Sequence, residues 1–83
     1  MHKNIEPGIY QHYSGKKYEV LSTAIYSENP EQELVVYKQL YESELRGKNI
    51  KLPIGTLWAR PVNMFFETVD YNGQKVPRFK KVE

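Results

Sequence analysis

The chain contains no cysteine. That excludes disulfides, thiolate chemistry and any cysteine-built zinc site. Small secreted domains usually rely on such cross-links, so a reducing, cytoplasmic setting is expected. No stretch reaches the roughly 18 apolar residues of a membrane-spanning helix. The opening "MHKNIEPG" has no apolar core behind Lys3, so it does not read as a signal peptide. A soluble protein with no membrane contact is the expectation. Charge of one sign is also scarce: 12 Lys and Arg stand against 10 Asp and Glu, a net charge of +2. Dedicated nucleic-acid binders usually carry a dense basic face, and this composition does not supply one. The five glycines are isolated turn residues, so no phosphate-cradling loop is present. His2 and His12 match no common metal-ligand spacing, and neither a metal nor a cofactor is expected.

What the chain has in quantity is tyrosine: seven Tyr, three Phe and one Trp among 83 residues. Aromatic residues favour strands and bury large areas. Both help a domain this small, which hides only about 60% of the surface of its unfolded chain. The length fits a single domain over residues 1–83, with 1–7 and 80–83 as flexible ends.

Alternation with period two dominates. "GIYQHYS" (8–14) reads as a first strand and "SGKK" as a tight turn. "KYEVLSTAIYSE" (17–28) is a long second strand, apolar on both faces, as in a strand bending around a small barrel. "NPEQ" (29–32) is a turn with Pro30 pre-set for its second position. "ELVVYKQLYE" (33–42) also matches helical spacing, but Val-Val-Tyr favours a strand. Residues 43–56, "SELRGKNIKLPIGT", form either a mobile loop or a small hairpin turning at "GKN". "LWAR" (57–60) is a short strand, and Pro61 opens a single helical turn, "PVNMF". "FETVDYNGQKVPRF" (66–79) closes the chain as a hairpin around Asn72–Gly73. About five short strands with turns roughly every 8–12 residues predict a mainly β fold, a small SH3-like antiparallel barrel with one short helical turn. Its core is expected from Val20, Ile25, Val36, Leu40, Leu57, Met64 and Phe65.

"GIYQHYSGKKYEVL", "YSE" at 26–28, "LVVYKQLY" at 34–41, "LWARPVNMF" and a terminal "PRF" follow one another in that order. The ordered set resembles a bacterial family of small cytoplasmic proteins, domain of unknown function number 1653, over nearly the whole chain. The resemblance implies a compact, mostly β domain and brings no established activity. Ser14 stands where the family usually has a basic residue. Tyr26 stands where it has a histidine before the Ser-Glu pair, so no role for those basic groups carries over. The segment 43–56 is longer than the family's usual connection, which would make a binding role for it particular to this protein.

Three constellations carry the functional expectations. Trp58 and Arg60 lie two apart on a strand and so share a face. With nearby tyrosines they could stack a ring or grip an anion. The preferred reading of this pair is structural: Trp58 plugs the end of the barrel while Arg60 caps carbonyls or pairs with a carboxylate. Tyr10 and His12 share a face of the first strand, and Tyr18 lies across the turn. His12 could serve as an acid or base, with Glu28 as its nominated partner, but a histidine hydrogen-bonded within an aromatic surface is the preferred reading. The basic terminus, with Lys75, Arg78, Lys80 and Lys81 around Phe79, could track a phosphate backbone. The preferred reading is that these charges protect a sheet edge from pairing with other chains. The leading expectation is a non-catalytic binding module, monomer or weak dimer. Its surface of Tyr10, His12, Tyr37, Trp58 and Arg60 would receive a small anionic or aromatic ligand or a peptide. The alternative is nucleic-acid binding through the basic terminus and the lysines of 43–56.

Overall fold

The structure, a computed structural model, describes residues 5–45 and 47–83. Its elements run β1 (Gly8–His12), β2 (Lys17–Ile25), β3 (Glu33–Gln39), β4 (Ser43–Leu45), β5 (Ile50–Leu52), β6 (Leu57–Pro61), α1 (Val62–Phe65), β7 (Thr68–Tyr71), β8 (Gln74–Pro77) and β9 (Phe79–Lys81). The fold is mainly β, with one short helix. A five-stranded antiparallel sheet has the order β6-β3-β2-β1-β9, and two separate hairpins, β4-β5 and β7-β8, stand beside it. The expected barrel is therefore not closed: β6 and β9 are the two edges and do not pair with each other. Among the described residues, no helix is long and apolar enough to cross a membrane.

Local chemistry accounts for the connections. Asn29 and Gln32 close the Pro30 turn, the Gln32 amide donating to the Asn29 carbonyl at 2.8 Å. Asn72 and Gly73 take φ values of 53° and 78°, the left-handed pair that a two-residue β7–β8 turn requires. Residues 43–56 contain the hairpin foreseen as one of two options, with Glu44 opposite Lys51. Pro61 ends β6 and sits at the N-cap of α1 with φ −53°, an angle proline holds without cost. The last residues, expected as a flexible end, are tied to β1. The Ile9 amide donates to the Glu83 carbonyl at 3.0 Å, and the Val82 amide to the Ile9 carbonyl at 2.8 Å.

Directly opposed residues share a face of an antiparallel sheet, and the inner face carries Tyr10, Val20, Val35, Tyr37 and Phe79. α1 drops Phe65 onto it. Phe65 stacks on Phe79 with ring centroids 4.1 Å apart, and meets Tyr10 and Tyr37 edge-on. Burying such a ring contributes about 1.5–3 kcal/mol. Val20 and Phe65 are core residues as expected. The rest of the expected core needs correction. Val36 and Leu40 are only half-buried, while Ile25, Leu57 and Met64 are exposed. Val36 and Leu57 alternate out of the inner face occupied by Val35 and Trp58. Ile25 lies at the end of β2, opposite Glu33. A four-residue helix buries one side only, and here that side is Phe65. A bulge between Val20 and Ser22 also resets the alternation of β2.

Candidate functional site

The register puts all five expected binding residues on the inner face: Tyr10 lies opposite Tyr18, Tyr18 opposite Gln39, Tyr37 opposite Trp58, Val35 opposite Arg60 and His12 opposite Phe79. α1 covers only part of that face. Between the remainder and the β4–β5 hairpin lies a cavity of about 290 Å³. Its walls are His12, Tyr18, Tyr37, Tyr41, Trp58, Arg60 and Phe79 from the sheet side, and Ser43, Glu44, Leu45 and Leu52 from the hairpin. Four of the five residues therefore meet at one place. Tyr10 does not. It is buried in the core, edge-on to Phe65, with its hydroxyl donating to the Glu6 carbonyl at 2.9 Å.

Trp58 is 37% exposed, and its indole N–H donates to Gln39 Oε1 at 2.8 Å. It is thus both anchored and accessible. Its ring also walls an apolar recess with Leu45, Leu52, Thr56 and Leu57. Arg60 donates from Nε to the Tyr37 hydroxyl at 3.3 Å. No carboxylate of the described residues forms an ion pair with it. The expectation that Arg60 caps carbonyls or pairs with a carboxylate is not met among those residues.

His12 packs on Tyr13 and Phe79, with centroids 4.3 Å and 5.0 Å away. The Ser14 backbone N–H donates to its Nδ1 at 3.2 Å, with Ser14 Oγ at 2.9 Å. A ring nitrogen that accepts carries no proton, so the hydrogen sits on Nε2. Burial lowers the pKa of His12, and the nearby Arg60 and Arg78 guanidiniums lower it further. The neutral imidazole is favoured. Glu28 lies in the β2–β3 turn, at the opposite end of the nine-residue β2 from His12. At about 3.3 Å per residue that is roughly 25 Å, so the two do not form an acid–base pair. His2 lies outside the described residues. The Tyr18 and Tyr41 hydroxyls hydrogen-bond to each other. Burial, then this bond, raises the Tyr18 pKa, and the phenol stays neutral.

Gln39 was not singled out from the sequence, although it organises the site. It is fully buried, and the two hydrogens of its Nε2 are shared among four acceptors within reach: the carbonyls of Tyr41 (2.8 Å), Leu52 (3.0 Å) and Pro53 (3.3 Å) and Ser43 Oγ (3.2 Å). One amide thereby ties the hairpin and Trp58 to β3. The available signal was an amide at the third inward position of "VVYKQ", after Val35 and Tyr37. Among the described residues, no group of three His, Asp or Glu side chains could hold a metal.

The basic terminus does not form one patch. Lys75 pairs with Asp70 at 3.6 Å. Arg78 pairs with Glu67 and donates to the Met64 carbonyl at 3.1 Å, tying the β7–β8 hairpin to α1. Lys80 and Lys81 are successive residues of β9 and point to opposite faces. β9 is an edge of the sheet, where such charges discourage pairing with other chains.

A family model described as "Protein of unknown function (DUF1653)" matches residues 8–81. The chain is also similar to a solved crystal structure of a protein belonging to DUF1653 from Bordetella bronchiseptica. The identity is 33% and the TM-score 0.76, covering 95% of this chain and 88% of that one. No curated protein matches the chain.

Proposed function

The chain belongs to the DUF1653 family of proteins of unknown function, and we propose that it is a non-catalytic binding module whose site is the cavity between the sheet and the β4–β5 hairpin. The observation that carries this reading is convergence. His12, Tyr37, Trp58 and Arg60 come from three strands, and they border one cavity. Arg60 brings a guanidinium unpaired by the described carboxylates, among rings that offer flat apolar surface. That suits a small anionic or aromatic ligand, or the end of a peptide. The separation of His12 from Glu28 favours binding over turnover, and the absence of cysteine suits a cytoplasmic setting. The split of the basic terminus between ion pairs and opposite faces weighs against nucleic acid as the partner.

An amide NMR titration of labelled protein against nucleotides, short oligonucleotides, small acids and peptides tests the reading. The expected result is localised, saturable shifts at the Trp58 indole, Arg60 and His12. Shifts confined to Lys75, Lys80 and Lys81, abolished by moderate salt, would transfer the function to nucleic acid. An indole signal that no compound moves would remove the cavity as the site.

A further inference from the structure

We propose that the cavity receives a small planar monocarboxylate carried on an aromatic or similarly flat apolar body. This rests on the binding-module reading and adds the chemistry of the ligand. Among the described residues, Arg60 is the only Lys or Arg that lines the cavity. Its Nε is held by the Tyr37 hydroxyl, which fixes the plane of the guanidinium and leaves the remaining N–H groups for a ligand. A planar fork of donors matches a carboxylate. His12 also lines the cavity, and with Nδ1 engaged by Ser14 its ring donates only through Nε2. The cavity thus offers a charged fork and a neutral donor.

The charge balance selects the monoanion. Glu44 lines the cavity from the exposed side of β4, opposite Lys51. Lys16 rests on the Tyr41 ring, 5.0 Å from its centroid, and does not line the cavity. Among the described residues, a phosphate monoester would therefore meet one guanidinium and a carboxylate of its own sign. A cation, which an aromatic box would otherwise attract, meets Arg60. The walls select the body. Tyr18 and Tyr41 bond their hydroxyls to each other, and the Tyr37 hydroxyl accepts from Arg60. The flat faces of these rings and of Trp58 are what a planar apolar body would stack on. The volume of about 290 Å³ is at the low end of ligand pockets, roughly 300–1,000 Å³. It suits one ring with a short acid arm. That chemistry belongs equally to a free aromatic acid and to the C-terminal aromatic residue of a peptide.

The test titrates labelled protein with phenylacetate, an acetylated dipeptide ending in phenylalanine, phenylacetamide, phenyl phosphate and phenyltrimethylammonium, reading the Trp58 indole and Arg60 signals. At least one of the two carboxylates is expected to saturate those signals, with the amide, phosphate and ammonium compounds weaker by about tenfold or more. Response to phenylacetate alone assigns the site to a free acid, and response to the dipeptide alone assigns it to a peptide end. Arg60→Met, checked for an intact amide spectrum, should lower the carboxylate affinity by about tenfold. His12→Gln, with its donor retained at a different reach, should lower it less. Equal binding of phenylacetamide, or tighter binding of phenyl phosphate, overturns the monocarboxylate assignment while leaving the cavity as a binding site. If none of these compounds shifts the indole but another ligand class does, the assignment also falls alone. If nothing in either panel shifts it, the binding-module reading falls with it.

Discussion

His12 and Tyr18 meet edge-on with ring centroids 6.5 Å apart, and the fold disfavours charge on both. For His12, burial acts first and the Arg60 and Arg78 charges second, and all three lower its pKa. The unfolded chain, with an ordinary histidine near 6.5, therefore takes up the proton first as pH falls. Stability is full above about 6.5, declines as pH drops towards the lowered folded value, and levels below it. Tyr18 has the opposite sign. Burial and the bond to Tyr41 raise it, so the unfolded phenol ionises first and stability declines as pH rises beyond about 10. Tyr10, raised by burial and then by Glu6, adds to the same alkaline limb. Urea midpoints measured across pH should show both limbs. His12→Gln should flatten the decline just below 6.5 and leave the alkaline limb, while Tyr18→Phe should do the reverse. An acid limb unchanged in His12→Gln would show that the imidazole is not the group responsible.

The β4–β5 hairpin hangs on one side chain. Gln39 serves the carbonyls of Tyr41, Leu52 and Pro53 and accepts the indole N–H of Trp58. Gln39→Leu keeps the approximate volume but strips those partners at a buried position. A cost of about 1–3 kcal/mol is expected, with the amides of β4 and β5 exchanging faster while those of β2 and β3 hold. Unchanged protection in the hairpin would refute the tether. This element was also the least legible part of the sequence. β4 and β5 are three residues each, too short for period two to declare itself. Asn72–Gly73 was legible because its backbone angles are ones that few other residues accept. Trp58 and Arg60 could be placed on one face by counting, yet counting could not say which part of that face α1 would cover. That is why Tyr10 went to the core and His12 to the cavity. The closed barrel failed for a related reason: strand number says nothing about whether the edge strands meet.

The sheet joins the two ends of the chain, β1 with β9, so its assembly waits on a pairing that spans nearly the whole sequence. Such non-local closure makes folding depend on the last strand as much as on the first. Gly8 sits at the junction. Its φ is +143°, and a Cβ there would lie 2.5 Å from the Glu83 carbonyl oxygen, which accepts from Ile9. No L side chain fits without moving the terminus. Gly8→Ala should therefore cost about 1–3 kcal/mol and release residues 82–83, seen as lost protection of the Ile9 and Val82 amides. Trp58, on the far edge strand β6, should keep its indole shift. Deletion of residues 79–83 goes further, because it removes Phe79, the ring stacked on Phe65 in the core. That truncation should leave no cooperative unfolding transition by calorimetry, whereas removal of residues 82–83 alone should only lower the midpoint. A folded, cooperative chain lacking 79–83 would mean that β6, β3, β2 and β1 with α1 suffice. The aromatic stack across the molecule would then be an addition to the core rather than its centre.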